Sequence, residues 1–285
     1  MRIGTYTAAD RGRRRMTTLR MATRLIGVAS LVAMTLLGSA AAEEKLVGTY
    51  GEVRTVLAFK APPAAVQEFL PEDWEPAPIA AGPSMDANLN VVFVDWITVT
   101  NPDGKPGKTV RLALIAAPAR KKGTQEAVPM AVAGLASGSF APGPYGTLAP
   151  AKVTVDRHER TDASGTSTAE EAWEYVGDGG DKIQLQLRYT RGVAERSKIE
   201  TKPHSPVKPE FYRIYRIEQA ADVVRSTVTG VDRVQNISFT ASGPKLSQLF
   251  DGKEELVSIT SLPWYSRQVT LPEGMPASVE LAGKQ

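Results

Sequence analysis

A single lysine follows a proline at the head of the alternating run "PYGTLAPAKVTVDRHER", residues 144–160. A lysine amine desolvated inside a protein can attack a carbonyl and form an imine, so Lys152 is the first candidate for covalent chemistry. Strict alternation puts Ala151, Val153 and Val155 on one strand face and Lys152, Thr154, Asp156, His158 and Arg160 on the other. That polar face is either wet surface or, in a barrel with a ligand cavity, part of a polar interior.

Other chemistry-bearing patterns are weaker. The loop "NPDGKPGKTV" holds Gly107, Lys108 and Thr109 in phosphate-loop order, but Pro102 stands where the first glycine belongs. A strand then follows in place of the helix N-terminus that would cradle phosphate, so the segment reads as a hairpin turn. Ser242 and Lys245 share the S-x-x-K spacing of a serine nucleophile and its lysine. The companion motifs are missing, and Ser242 reads as a helix cap. The two histidines, His158 and His204, are too few and too far apart for a zinc site, and "DGGD" is a turn composition before it is a calcium loop. No metal and no cofactor are expected. The chain has no cysteine, which excludes disulfides, thiolate catalysis and a lipid-modified cysteine.

The ends of the chain differ in character. An arginine-rich lead is followed by the apolar run "LIGVASLVAMTLLGSA", with Ala40 and Ala42 at the small-residue positions of a cleavage site. Residues 1–42 are therefore expected to be a signal peptide of the general secretory route, leaving 43–285 as one domain in the periplasm or medium. The net charge of +3 belongs to that leader. It takes seven arginines and one aspartate from 34 basic and 31 acidic residues, leaving 27 against 30 and a net charge of −3. Nucleic acid is not an expected partner of such a chain. No later stretch approaches the ~18 apolar residues of a membrane span, so none is expected in the mature chain.

Positioning falls to strands. Runs rich in branched and aromatic residues cover 52–60, 88–100, 109–117, 151–160, 169–176 and 181–190, and resume at 211–219, 222–230, 233–241 and 256–271. In 181–190, Ile183, Leu185, Leu187 and Tyr189 form one face of a half-buried strand, and "GDGGD" joins it to 169–176 as a hairpin. Only 62–70 and 243–250 read as short helices, each opened by proline. The expected fold is mainly β, an antiparallel barrel- or cone-like sheet with a few short helices.

Four stretches in order, "FKAPPAAVQEFLPEDWEPAP", "YGTLAPAKVTV", "VQNISFTASGPKLSQLF" and "LVSITSLPWYSRQVTLPEG", give the chain a pattern that resembles the acetoacetate decarboxylase superfamily. The resemblance spans most of residues 43–285 and implies a cone or barrel around a buried cavity that accepts a small carbonyl compound. It also implies a lysine pair after a proline, one lysine forming the imine and its neighbour lowering the pKa. Here Ala151 falls at the nucleophile position and Lys152 at the helper position, and no glutamate on 109–117 matches the family's. A lone Lys152 needs its pKa brought down about three units, roughly 4 kcal/mol, by burial. Arg54 lies near the family's arginine position and would anchor a carboxylate by a forked hydrogen bond.

The expected function is binding of a small carbonyl or keto-acid compound in a β-lined cavity. If the protein is an enzyme, the resemblance implies a carbon–carbon lyase with Lys152 and Arg54 as catalytic residues. Trp96, Tyr145, Trp264 and Tyr265 are candidates for the ligand-binding lining. Two alternatives dispense with the covalent step. One is a periplasmic small-molecule-binding protein on the same scaffold; the other is an envelope interaction module in which "FYRIYRI", 211–217, is an exposed sheet edge open to strand pairing.

Overall fold

The computed structural model describes residues 43–279, so the leader expected over 1–42 lies outside the described residues. The chain runs β1 (Lys45–Lys60), α1 (Pro63–Gln67), β2 (Trp74–Pro76), β3 (Leu89–Thr100), β4 (Arg111–Lys121) and β5 (Ala127–Ser137). It continues with β6 (Leu148–Thr161), β7 (Ser167–Gly177), β8 (Lys182–Thr190), β9 (Glu195–Thr201), β10 (Ile214–Ser226), β11 (Val231–Asp232), β12 (Val234–Ser242) and β13 (Glu255–Leu271). These form one 13-stranded sheet in the order β11-β10-β13-β1-β3-β4-β5-β6-β7-β8-β12, with β2 beside β4 and β9 beside β10.

The β-rich architecture is the expected one, but the sheet is mixed, because β5 and β6 pair in parallel. Their connection, residues 138–147, is short for a parallel crossover. It is folded tightly on itself: Gly143 adopts φ +72°, and a Cβ there would stand 2.8 Å from Leu148 Cδ1. Close approach continues in β5, where a Cβ on Gly134 would sit 2.4 Å from the Ala113 carbonyl oxygen.

Strand β1 shows how one sheet serves two interiors. Val53, Thr55, Leu57 and Phe59 face one side, Glu52, Arg54 and Val56 the other. The same holds for β3, with Val91 and Phe93 against one core and Val94 and Trp96 against the other. A strand buried on both faces needs apolar residues at nearly every position, which is why "NVVFVDW" barely alternates.

The first interior is a filled cone. The sheet curls until β12 returns onto β1, bringing Phe59 and Phe239 to 5.1 Å between ring centroids. Phe93, Trp173 and Tyr175 are fully buried beside them, each worth about 1.5–3 kcal/mol of transfer free energy. The hairpin β7–β8 closes this cone, with Ile183, Leu185, Leu187 and Tyr189 inward as their alternation requires. At its polar end the buried Glu171 accepts hydrogen bonds from Thr55 Oγ1 at 2.6 Å and Trp173 Nε1 at 2.9 Å. The Tyr189 hydroxyl lies 3.2 Å from Glu171 Oε1 and 2.8 Å from Ser261 Oγ. One carboxylate thus ties β7 and β8 across the cone to β1 and β13.

The second interior is a ring. After β9 the chain lays residues 203–205 beside β5, with His204 N donating to Pro129 O at 2.8 Å and Ala131 N to His204 O at 3.0 Å. His204 also bridges Tyr212, just before β10. Strand β10 pairs with β9 and β13, and Phe211, Ile214, Tyr215 and Ile217 are buried. The 211–217 segment expected as an exposed edge is therefore internal, because strands close over both of its sides.

Removing the Glu171 carboxylate leaves the Thr55 hydroxyl and the Trp173 indole N–H without their acceptor. Glu171→Ala is expected to lower unfolding free energy by about 2–5 kcal/mol in urea titrations; a loss below about 0.5 kcal/mol would contradict the hub. At the start of β1, Arg216 and Thr270 bind the Glu44 carboxylate and hold its pKa down from 4.5 to about 2. The unfolded chain then binds more protons between those values, so this contribution is complete above pH 4.5 and is lost as pH falls toward 2. Glu44→Gln should cost under about 1 kcal/mol at neutral pH and shrink the acid-induced loss of stability over that window.

Candidate functional site

The ring encloses a cavity of ≈ 820 Å³. Its walls come from alternate residues of β1, β3, β4, β10 and β13, together with Tyr145 and Leu148 from around the β5–β6 connection. Aliphatic and aromatic groups dominate them, while among the described residues the charged side chains on the lining are Arg54 and Arg267.

These two arginines share one carboxylate. Glu52, whose side chain is wholly buried, accepts from Arg54 Nε at 2.6 Å through one oxygen and from Arg267 Nε at 2.7 Å through the other. Glu52 and Arg54 are two apart on β1, and Tyr265 and Arg267 two apart on β13, so period-two geometry delivers all four to the same face. Register completes the assembly by placing Glu52 opposite both Tyr265 on β13 and Trp96 on β3.

Aromatic faces replace much of the lost hydration. The Arg54 guanidinium carbon lies 3.7 Å from the Tyr265 ring centroid, and that of Arg267 lies 4.4 Å from Tyr215, 4.8 Å from Tyr50 and 5.7 Å from Trp96. Burial works against the Arg267 charge, but Glu52 and the Tyr215 and Tyr265 oxygens outweigh it and hold the pKa above its ordinary value. Burial also raises the pKa of Tyr145, Tyr265 and Tyr50. At neutral pH the cavity therefore holds two guanidinium charges, one carboxylate and neutral phenols, a surplus of one positive charge.

That surplus has unused donors. Among the described residues neither terminal nitrogen of Arg267 has a hydrogen-bond partner, and the buried Trp96 Nε1 has none either. Tyr145 donates its proton to the Tyr215 oxygen at 2.7 Å, leaving the Tyr215 proton available. Buried donors without acceptors are costly. Arg267 and Trp96 line a cavity from which an anion could supply acceptors.

The sequence candidates divide. Arg54, Trp96, Tyr145 and Tyr265 come together on the cavity wall. Trp264 does not: it is 43% exposed, with the Arg196 guanidinium over its ring, because neighbours on a strand face opposite ways. Lys152 is exposed on the outer face of β6, while Ala151 beside it packs against the cone's core. Among the described residues no lysine lines the cavity. The imine expectation thus loses its amine, and the alternation that first drew notice to Lys152 describes a wet strand face. Glu52, Arg267, Tyr50 and Tyr215 were not singled out from the sequence, although "WYSR" and "EVR" carry the two-residue spacing that unites them.

Other patterns fall elsewhere. Gly107, Lys108 and Thr109 lie between β3 and β4 with no helix after them. Ser242 ends β12 and caps nothing; Asp181 Oδ1 instead accepts from Lys245 N at 3.0 Å and Leu246 N at 3.3 Å. A polar cleft of ≈ 550 Å³ opens at the end of the cone. Its charges already serve one another, Asp95 pairing with Arg111 and Arg157 and Glu159 with Arg191. The apolar cavity is therefore the better ligand site.

Comparison with solved structures places this architecture in the acetoacetate decarboxylase-like fold class. The enduracididine biosynthesis enzyme MppR with HEPES buffer bound aligns at TM-score 0.51 and 14% identity, over 82% of this chain and 89% of that one. MppR complexed with the condensation product of pyruvate and imidazole 4-carboxaldehyde gives 0.51 and 14% over 89% and 99%. Acetoacetate decarboxylase from Legionella pneumophila gives 0.48 and 14% over 80% and 85%. At these identities the likeness concerns the fold alone. No protein-family model matches the chain, and the comparison with curated proteins gives no match.

The shared carboxylate makes a sharp prediction. Glu52→Ala leaves the buried Arg267 and half-buried Arg54 guanidiniums side by side without a counter-charge and should cost about 3–5 kcal/mol of unfolding free energy. Lys152→Ala, on the wet face, should stay within about 0.5 kcal/mol of the parent. Equal effects of the two substitutions in the same urea titration would contradict the assigned roles.

Proposed function

We propose that this chain binds a monoanionic organic acid in the ring cavity, with the ligand carboxylate held by the Arg267 guanidinium. The observation that carries the proposal is the buried surplus positive charge with its unused donors. A carboxylate there would accept from both terminal nitrogens of Arg267 in the bidentate geometry such groups favour. Trp96 Nε1–H and Tyr215 O–H are further donors at the same end of the cavity, while Arg54 adds charge and fixes Glu52. The ligand body would pack against the apolar walls. Ligand chemistry named for the MppR structures, pyruvate and its condensation product, is compatible with carboxylate recognition on this kind of scaffold.

The proposed activity is binding, without an imine at Lys152. We further propose that residues 1–42 direct export and are removed after Ala42, so that binding takes place in the periplasm or outside the cell. That half of the reading rests on the leader's sequence, and mass measurement of the secreted product tests it.

Titration calorimetry with a panel of monocarboxylates of differing body, each paired with its neutral alcohol, tests the binding half. Acids should bind and alcohols should not, and Arg267→Met should weaken binding about 30-fold or more. Lys152→Ala should change nothing. Acids and alcohols binding alike, or affinity unmoved in Arg267→Met, would overturn the assignment.

A further inference from the structure

The cavity is far larger than its polar end. A three- or four-carbon keto acid would occupy only the neighbourhood of Arg267, whereas ≈ 820 Å³ lies in the upper part of the range of about 300–1,000 Å³ used for drug-sized ligands. Beyond the arginines the walls are mainly aliphatic, with Val56, Val92, Leu112 and Leu114 and then Ile79, interrupted by Asn90 and Thr260. Ala81 opens to solvent on the 79–84 loop, beside the Ser258 end of β13, whereas Arg267 is 7% exposed. The cavity thus runs from a charged, aromatic-lined floor to an apolar mouth.

Charge on the cavity lining is concentrated at the arginine end, where the two lining guanidiniums exceed the carboxylate they share by one positive charge. Two guanidiniums against one carboxylate match a single negative charge; a dianionic phosphate monoester would bring an uncompensated charge into an apolar chamber. The aliphatic stretch between the arginines and the 79–84 loop suits a chain of methylenes. A small polar acid would leave most of that wall without contact and so forgo the transfer free energy it offers.

We infer that the ligand class of this cavity is a long-chain aliphatic monocarboxylate, its carboxylate on Arg267 at the floor and its chain extending along the aliphatic wall toward the 79–84 loop. This inference rests on the carboxylate-binding reading and specifies the body of the ligand. It sets the protein apart from a binder of small keto acids. Recognition requires a free carboxylate, so an acyl chain esterified in a lipid does not qualify.

The test is a chain-length series measured on the mature protein: butanoate, hexanoate, octanoate, decanoate and dodecanoate, each below its micellar concentration, with acetoacetate, dodecanol and methyl dodecanoate alongside. Affinity should rise about fourfold per added methylene until the wall is covered. Dodecanoate should bind at least about 100-fold more tightly than butanoate, and the alcohol and ester should fail to compete. Leu114→Trp, which places bulk in the aliphatic section, should cut affinity for dodecanoate while leaving butanoate within about threefold. If that variant fails to fold, the series on the parent protein decides alone.

Acetoacetate or butanoate binding as tightly as dodecanoate would overturn the long-chain inference and leave the carboxylate reading standing. Failure of every acid to bind would overturn the carboxylate reading itself. Competition by methyl dodecanoate equal to that of the free acid would contradict the head-group assignment and point to esterified chains.

Discussion

A single buried carboxylate organises the site. Glu52 on β1 joins Arg54 of its own strand to Arg267 of β13, within an apolar ring where neither arginine could remain charged at small cost if left alone. Desolvating three ions is expensive, and a pair of guanidiniums with one counter-ion is not a stabilising device in itself. What offsets the cost locally is the set of aromatic faces on both guanidiniums. The arrangement is best understood as a site: a buried cation fixed in orientation by Glu52 and short of one anion.

The rest of the fold makes that possible by spending one sheet twice. On the cone side, Phe59, Phe93, Trp173, Tyr175 and Phe239 fill the interior and supply cohesion. On the ring side the walls are largely Val, Leu, Ala and Pro, too short to meet across the middle, so closing the strands around them leaves space. The ring is completed by residues 203–205, whose backbone alone joins β5 to the segment before β10. On this fold the chain carries a carboxylate-bridged arginine pair in a cavity that no lysine lines among the described residues.

Strands that alternate cleanly were legible as sequence. The β7–β8 hairpin and the outward face of β6 follow from period-two patterning, and the latter is what puts Lys152 in water. Strands buried on both faces were harder, because "NVVFVDW" shows no polar face to mark its orientation. The edge expected at 211–217 failed for a related reason: whether a strand is internal depends on pairings with β9 and β13, which local pattern does not encode. The site was half legible. Arg54, Trp96, Tyr145 and Tyr265 were chosen as residue types suited to a pocket, but Arg267 meets Glu52 only through a register between segments 215 residues apart. Trp264 shows the cost of choosing by residue type alone, since its neighbour Tyr265 faces the cavity and it does not.

The most direct measurement of the central claim is the ionisation of a bound acid, followed by NMR on decanoate labelled with carbon-13 at its carboxyl. A carboxylate seated on Arg267 should stay ionised when bound well below the ordinary carboxylate range of about pH 4 to 5, because the buried cation favours its charged form. The same acid buried away from Arg267 would titrate above that range through desolvation, and that result would contradict the account.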